Sequence, residues 1–118
     1  VERSRGLGDV YKRQLVAYAE AGADVLYAPG LTTREQIRAV VEAVSPKPVN
    51  VLVGSPSLAL SLDELAQLGV RRVSLGSNLA RVAYGAFLQA ATGLAERGDL
   101  SGARQALPFD TINDLFKG

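Results

Sequence analysis

The sequence predicts an α/β fold with a short parallel sheet, a piece of a (β/α)8 barrel, on three observations. Apolar runs at Ala23–Ala28, Pro48–Val53 and Val70–Leu75 recur at near-even spacing, and each leads into a glycine-containing turn. Each run follows a segment with helical apolar periodicity, and near-continuous apolar strands between amphipathic helices read as parallel strands covered on both faces. Parallel neighbours need a crossover, so the order is β-helix-β-helix-β, and a repeat of about two dozen residues matches the barrel's βα unit. Only three such units fit in 118 residues, so the chain reads as part of an enzyme domain.

The elements follow in order. Residues 1–14, VERSRGLGDVYKRQ, stand apart: four basic residues against two acidic ones give a local +2, leaving −1 for the rest. The segment lacks a clear apolar period, and Asp9-Val-Tyr-Lys-Arg-Gln14 resembles the in-frame translation of a transposon end used to tag DNA for sequencing. It is therefore expected to be non-native adapter sequence or disordered, with the barrel portion spanning residues 15–118. Leu15–Ala21 reads as the last turns of a helix closed by Gly22. After a first strand at Val25–Tyr27, Thr32-x-x-Glu35 has the form of a capping box, and Ile37, Val40, Val41 and Val44 form one helical face. Pro46 and Pro48 stop that helix before the second strand. Ser61-x-x-Glu64 opens another helix, with Leu65 and Leu68 inward and Gly69 closing it. A long helix from about Asn78 to Glu96 is apolar on more than one side, which predicts burial against more than its own barrel. Asp99–Arg104 reads as a short helix or turn, and Leu107–Phe116 as a short amphipathic docking helix.

Composition narrows the chemistry. Without Cys there is no disulfide or thiolate metal site, and without His the commonest general base and metal ligand are missing. A net charge of +1 and the lack of any long apolar run give no reason to expect a nucleic-acid or membrane partner, and a cytoplasmic location is expected. Barrel active sites lie at the C-terminal strand ends, here Pro29–Thr32, then Gly54, Ser55 and Ser57, then Gly76, Ser77 and Asn78. None of these is acidic or basic, so no catalytic residue and no metal ligand is assigned. Gly76-Ser77 before a helix could hold a substrate anion on free backbone N–H groups, or could simply cap the turn. Asn50 interrupts an apolar strand; Val49 and Val51 flank it on the helix side, so Asn50 points into the barrel. There it binds either a substrate carboxylate or a structural partner.

The stretches Ala17–Val44 and Lys47–Ala91, with Leu107–Phe116, resemble the C-terminal part of the isocitrate lyase/phosphoenolpyruvate mutase family. The most specific parts are Ala21-Gly-Ala-Asp24, the Asn50 strand and Gly69-Val-Arg-Arg-Val-Ser-Leu-Gly76. The resemblance implies that the strands are the sixth, seventh and eighth of the barrel. It implies C–C or C–P bond lyase or mutase chemistry on small 2-oxo or 2-hydroxy acids or phosphonates, through an enolate-like species with Mg²⁺. It also implies an Asn50 that helps hold a substrate carboxylate, and a homo-oligomer that exchanges its last long helix between subunits. The lyases' acid at the end of the sixth strand is missing from Ala28-Pro29-Gly30, which points to the phosphonomutase-like branch. The Mg²⁺ ligands and catalytic loop would lie in earlier strands, leaving the isolated fragment inactive. Two other readings stand beside this one: a phosphate-binding barrel isomerase or synthase gripping phosphate at Gly76-Ser77, and a small non-catalytic α/β module. The module is disfavoured because its outer strands would expose unpaired edges.

Overall fold

A computed structural model describes residues 2–54, 56 and 58–118, leaving aside the side chains of residues 2–5 and 7. Ser55 and Ser57 lie outside the described residues. The elements are α1 (Glu2–Glu20), β1 (Leu26–Tyr27), α2 (Arg34–Val44), β2 (Val49–Leu52), α3 (Leu62–Gln67), β3 (Arg72–Ser74), α4 (Asn78–Arg97), a 3-10 turn (Ser101–Gln105) and α5 (Phe109–Leu115). The strands form one parallel sheet in the order β1-β2-β3, as the spacing predicts, with Leu26 opposite Val49, Asn50 opposite Arg72 and Leu52 opposite Ser74. The chain divides into two units, Val1–Ser77 and Asn78–Gly118.

In the first unit one face of the sheet is buried under helices. Leu15 of α1, Ile37, Val40 and Val44 of α2, Leu65 of α3, and Leu26, Val49 and Val51 of the strands make a single core. Each such side chain contributes roughly 1.5–3 kcal/mol by leaving water. Glycine ends two helices. Gly69 at φ +96 closes α3, with its N–H donating to Ala66 and that of Val70 to Leu65, the paired bonds of a Schellman cap. Gly22 at φ +105 closes α1 in the same way.

Helix α1 begins at Glu2 and takes in most of residues 1–14. The reason lies one turn before Leu15: Tyr11 packs against the core and over Gly30, extending the stripe that Leu15, Val16 and Ala19 continue. That helical state is a separate matter from the segment's origin. The cap of α2 sits one residue later than Thr32-x-x-Glu35. Thr33 takes the extended backbone and accepts from Gln36 N–H at 3.1 Å, while Gln36 Oε1 accepts from Thr33 N–H at 3.3 Å and from Thr32 N–H at 2.9 Å. Gln36 can thus serve two orphan donors, which Glu35 on the neighbouring helical position does not. The first strand, expected at Val25–Tyr27, pairs from Leu26. The Ser61–Glu64 box forms as the sequence predicts, with bonds of 3.1 and 2.8 Å.

The second unit contrasts with the first. Gly93 is the one buried residue of α4, and neither the 3-10 turn nor α5 buries any. Close contact between turn and helix occurs at Gly102, where an added Cβ would meet Ala90 at 2.8 Å. Leu79, Val82, Phe87 and Leu88 of α4 and Phe109, Leu115 and Phe116 of the tail are exposed.

Candidate functional site

Strand alternation sends Leu26, Val49, Val51 and Val73 toward the helices and Tyr27, Asn50, Leu52, Arg72 and Ser74 to the opposite, inner face. Asn50 is the polar side chain of that face that lies buried, 4% exposed, while Tyr27 across from it is 45% exposed. Its Nδ2 donates to the Ser74 hydroxyl at 3.0 Å. Its Oδ1 is buried and accepts no hydrogen bond among the described residues. A buried amide with an orphan carbonyl costs about 1–3 kcal/mol, and native proteins hold such groups rarely and for a reason.

Ser74 is fixed by the sheet. Its carbonyl accepts from Val53 N–H at 2.8 Å, and it pairs in register with Leu52. Arg72, two residues earlier, is exposed on the same face directly across from Asn50. The arrangement places an amide whose carbonyl end is free, a hydroxyl and a cation along the inner surface, groups able to hold a small polar molecule. Ser74 escaped the sequence reading although it lies in the predicted third strand and the alternation that turns Asn50 inward does the same for it, because its role comes from the partner on the neighbouring strand.

The other candidates are placed less tellingly. Gly76 has φ +56 just beyond β3 and lies over the side chain of Leu52, while Ser77 is exposed. The helix that follows starts in the second unit at Asn78. Thus Asn50 is joined by Ser74, not by Gly76 or Ser77. At the β1 end the ring of Tyr11 occupies the space a side chain at Gly30 would need. The two shifted carboxylates, Glu64 and Asp99, are both helix-end groups held low by backbone N–H bonds, from Ser61 and Ser101 respectively. Among the described residues no three of Asp, Glu, His and Cys gather to hold a metal ion. The described residues therefore do not fit a Mg²⁺ site. No helix among the described residues is long and apolar enough to cross a membrane.

A parallel βαβαβ sheet with helices packed on one face and polar groups on the other defines an α/β protein. The chain belongs to the phosphoenolpyruvate phosphomutase family, whose model matches residues 2–95. Among solved structures it is similar to a protein of Burkholderia cenocepacia J2315 described as a lyase/mutase, with 52% identity and a TM-score of 0.86 over 92% of this chain. It shares the fold of oxaloacetate acetylhydrolase bound to its product oxalate (22% identity, TM-score 0.73, 89% of this chain). It also shares that of 2,3-dimethylmalate lyase, a member of the phosphoenolpyruvate mutase/isocitrate lyase superfamily (24% identity, TM-score 0.66, 79% of this chain). The chain spans 39%, 37% and 34% of those three chains. No functionally curated protein matches it.

Proposed function

We propose that this chain is the C-terminal portion of a (β/α)8 barrel, contributing its sixth to eighth strands to a lyase or mutase that makes or breaks C–C or C–P bonds. The substrate is a small 2-oxo or 2-hydroxy acid or a phosphonate, and Asn50 holds a carboxylate of it. The observation that carries this reading is the buried Asn50 amide on the face away from the helices, its carbonyl unsatisfied; a half-turn gives that carbonyl to the Ser74 hydroxyl and the NH₂ to the carboxylate. A purely structural asparagine would have both ends paired. Mg²⁺, which would stabilise enolate oxygens in such chemistry, belongs on this reading to residues outside this chain. The chain alone is then inactive. The apolar, unburied surface of α4 and α5 supports association of the whole protein through the last long helix.

The test is a chimera in which this chain replaces the matching part of the Burkholderia protein. It is assayed with Mg²⁺ against a panel of 2-oxo and 2-hydroxy dicarboxylic acids and phosphonates, with oxalate as a binding probe. The expected result is turnover of at least one substrate and oxalate binding, with Asn50→Ala lowering kcat/KM about a hundredfold through lost positioning. An Asn50→Ala chimera with unchanged kcat/KM and oxalate affinity contradicts the role of Asn50.

A further inference from the structure

We propose that Ser74 is the positioning residue for Asn50, its hydroxyl deciding which end of the amide faces the ligand. The inference rests on the reading of Asn50 as a carboxylate holder. In the present arrangement Nδ2 donates to Ser74 Oγ at 3.0 Å, so the unpartnered Oδ1 is the end left for a ligand. A carbonyl oxygen repels a carboxylate; this state accepts only a donor, such as a hydroxyl or an ammonium group. Serine Oγ both donates and accepts, so a half-turn of the amide lets Oγ–H donate to Oδ1 and turns the NH₂ toward the ligand. That second state satisfies the buried carbonyl and presents two N–H donors to an anion. The hydroxyl keeps its place in both states because the ladder pins Ser74 through Val53 N–H and the Leu52 register. Arg72, exposed on the same face, adds positive potential that favours the anion-binding state. An anionic ligand thus selects the orientation opposite to the one described, and without the hydroxyl neither orientation is fixed.

The test is nitrogen-15 NMR of the full 118-residue chain, following the Asn50 side-chain amide during titration with potassium oxalate in the parent, Ser74→Ala, Ser74→Thr and Asn50→Ala. In the parent and Ser74→Thr, oxalate moves both Asn50 amide protons downfield with affinities within about threefold of each other. Ser74→Ala weakens oxalate at least about tenfold while the backbone amides of Val49 and Val51 stay where they were. A Ser74→Ala chain that binds like the parent, or a Ser74→Thr chain as weak as Ser74→Ala, overturns the proposal. If Asn50→Ala loses oxalate and Ser74→Ala keeps it, only the role of Ser74 falls. If Asn50→Ala binds like the parent, or the parent binds oxalate neither alone nor in the chimera, the carboxylate reading falls with it. Should the chain give no resolved spectrum, the same four variants are compared by calorimetry in the chimera, with the same outcomes deciding.

Discussion

Asn50 and Thr33 show what single side chains do in this chain. Asn50 leaves a buried carbonyl unpaired, so Asn50→Leu is expected to raise stability by about 1 kcal/mol in denaturant unfolding while removing carboxylate binding. A loss of 1 kcal/mol or more instead would mark the amide as structural. Thr33 caps α2, so Thr33→Ala should cost about 1 kcal/mol and Thr32→Ala only a few tenths, measured the same way. Equal costs would return the cap to Thr32. The inward direction of Asn50 is legible in the sequence, because alternation between two buried valines leaves it one side to face. The Thr33 cap is not, since Thr32-x-x-Glu35 and Thr33-x-x-Gln36 carry the same signature and backbone geometry alone chooses between them. Ser74 is invisible for a related reason: its meaning comes from the strand beside it.

At the scale of elements, the first turns of α2 and α3 are tied by Arg34–Glu64, 2.7 Å apart and partly exposed. Exposed pairs of this kind add little by themselves. Glu64 has a second task, accepting from Ser61 N–H, and that bond, followed by Arg34, holds its pKa below the ordinary glutamate value. A folded-state pKa below the unfolded one means a contribution that is complete above the unfolded pKa and disappears as pH falls through the folded one. Acid unfolding of Glu64→Gln is therefore expected to show a shallower loss of stability below the ordinary glutamate range than the parent; parallel curves would contradict it. Gly69 couples α3 to α2: at φ +96, an added Cβ would sit 2.6 Å from Val41 Cγ1. Gly69→Ala should cost about 1–3 kcal/mol, read as a lowered midpoint in urea. Glycine after an amphipathic run announces this cap in the sequence. The helix through residues 2–14 is not announced, because its anchor, Tyr11, finds its partner at Gly30 in a distant loop.

For the molecule as a whole, the two units differ in what they bury. The first has a core shared by three helices and three strands; in the second, Phe109 is 88% and Phe116 86% exposed, and α5 buries nothing. Hydrogen exchange on the chain alone should therefore protect the backbone amides of Leu26, Val49 and Val51 strongly and those of α5 hardly at all. Comparable protection in both would show that the second unit holds itself together. The long helix, apolar on several sides, is legible in the sequence, and so is the parallel three-strand order. What faces the inner side of the sheet is not, since strand alternation fixes only which residues, Tyr27, Asn50 and Arg72 among them, lie there. The most direct measurement is to sequence the source DNA upstream of the Leu15 codon. The account predicts an open reading frame that continues upstream into further βα units bearing clustered aspartates. A start signal directly ahead of an encoded VERSRGLGDVYKRQ would contradict it.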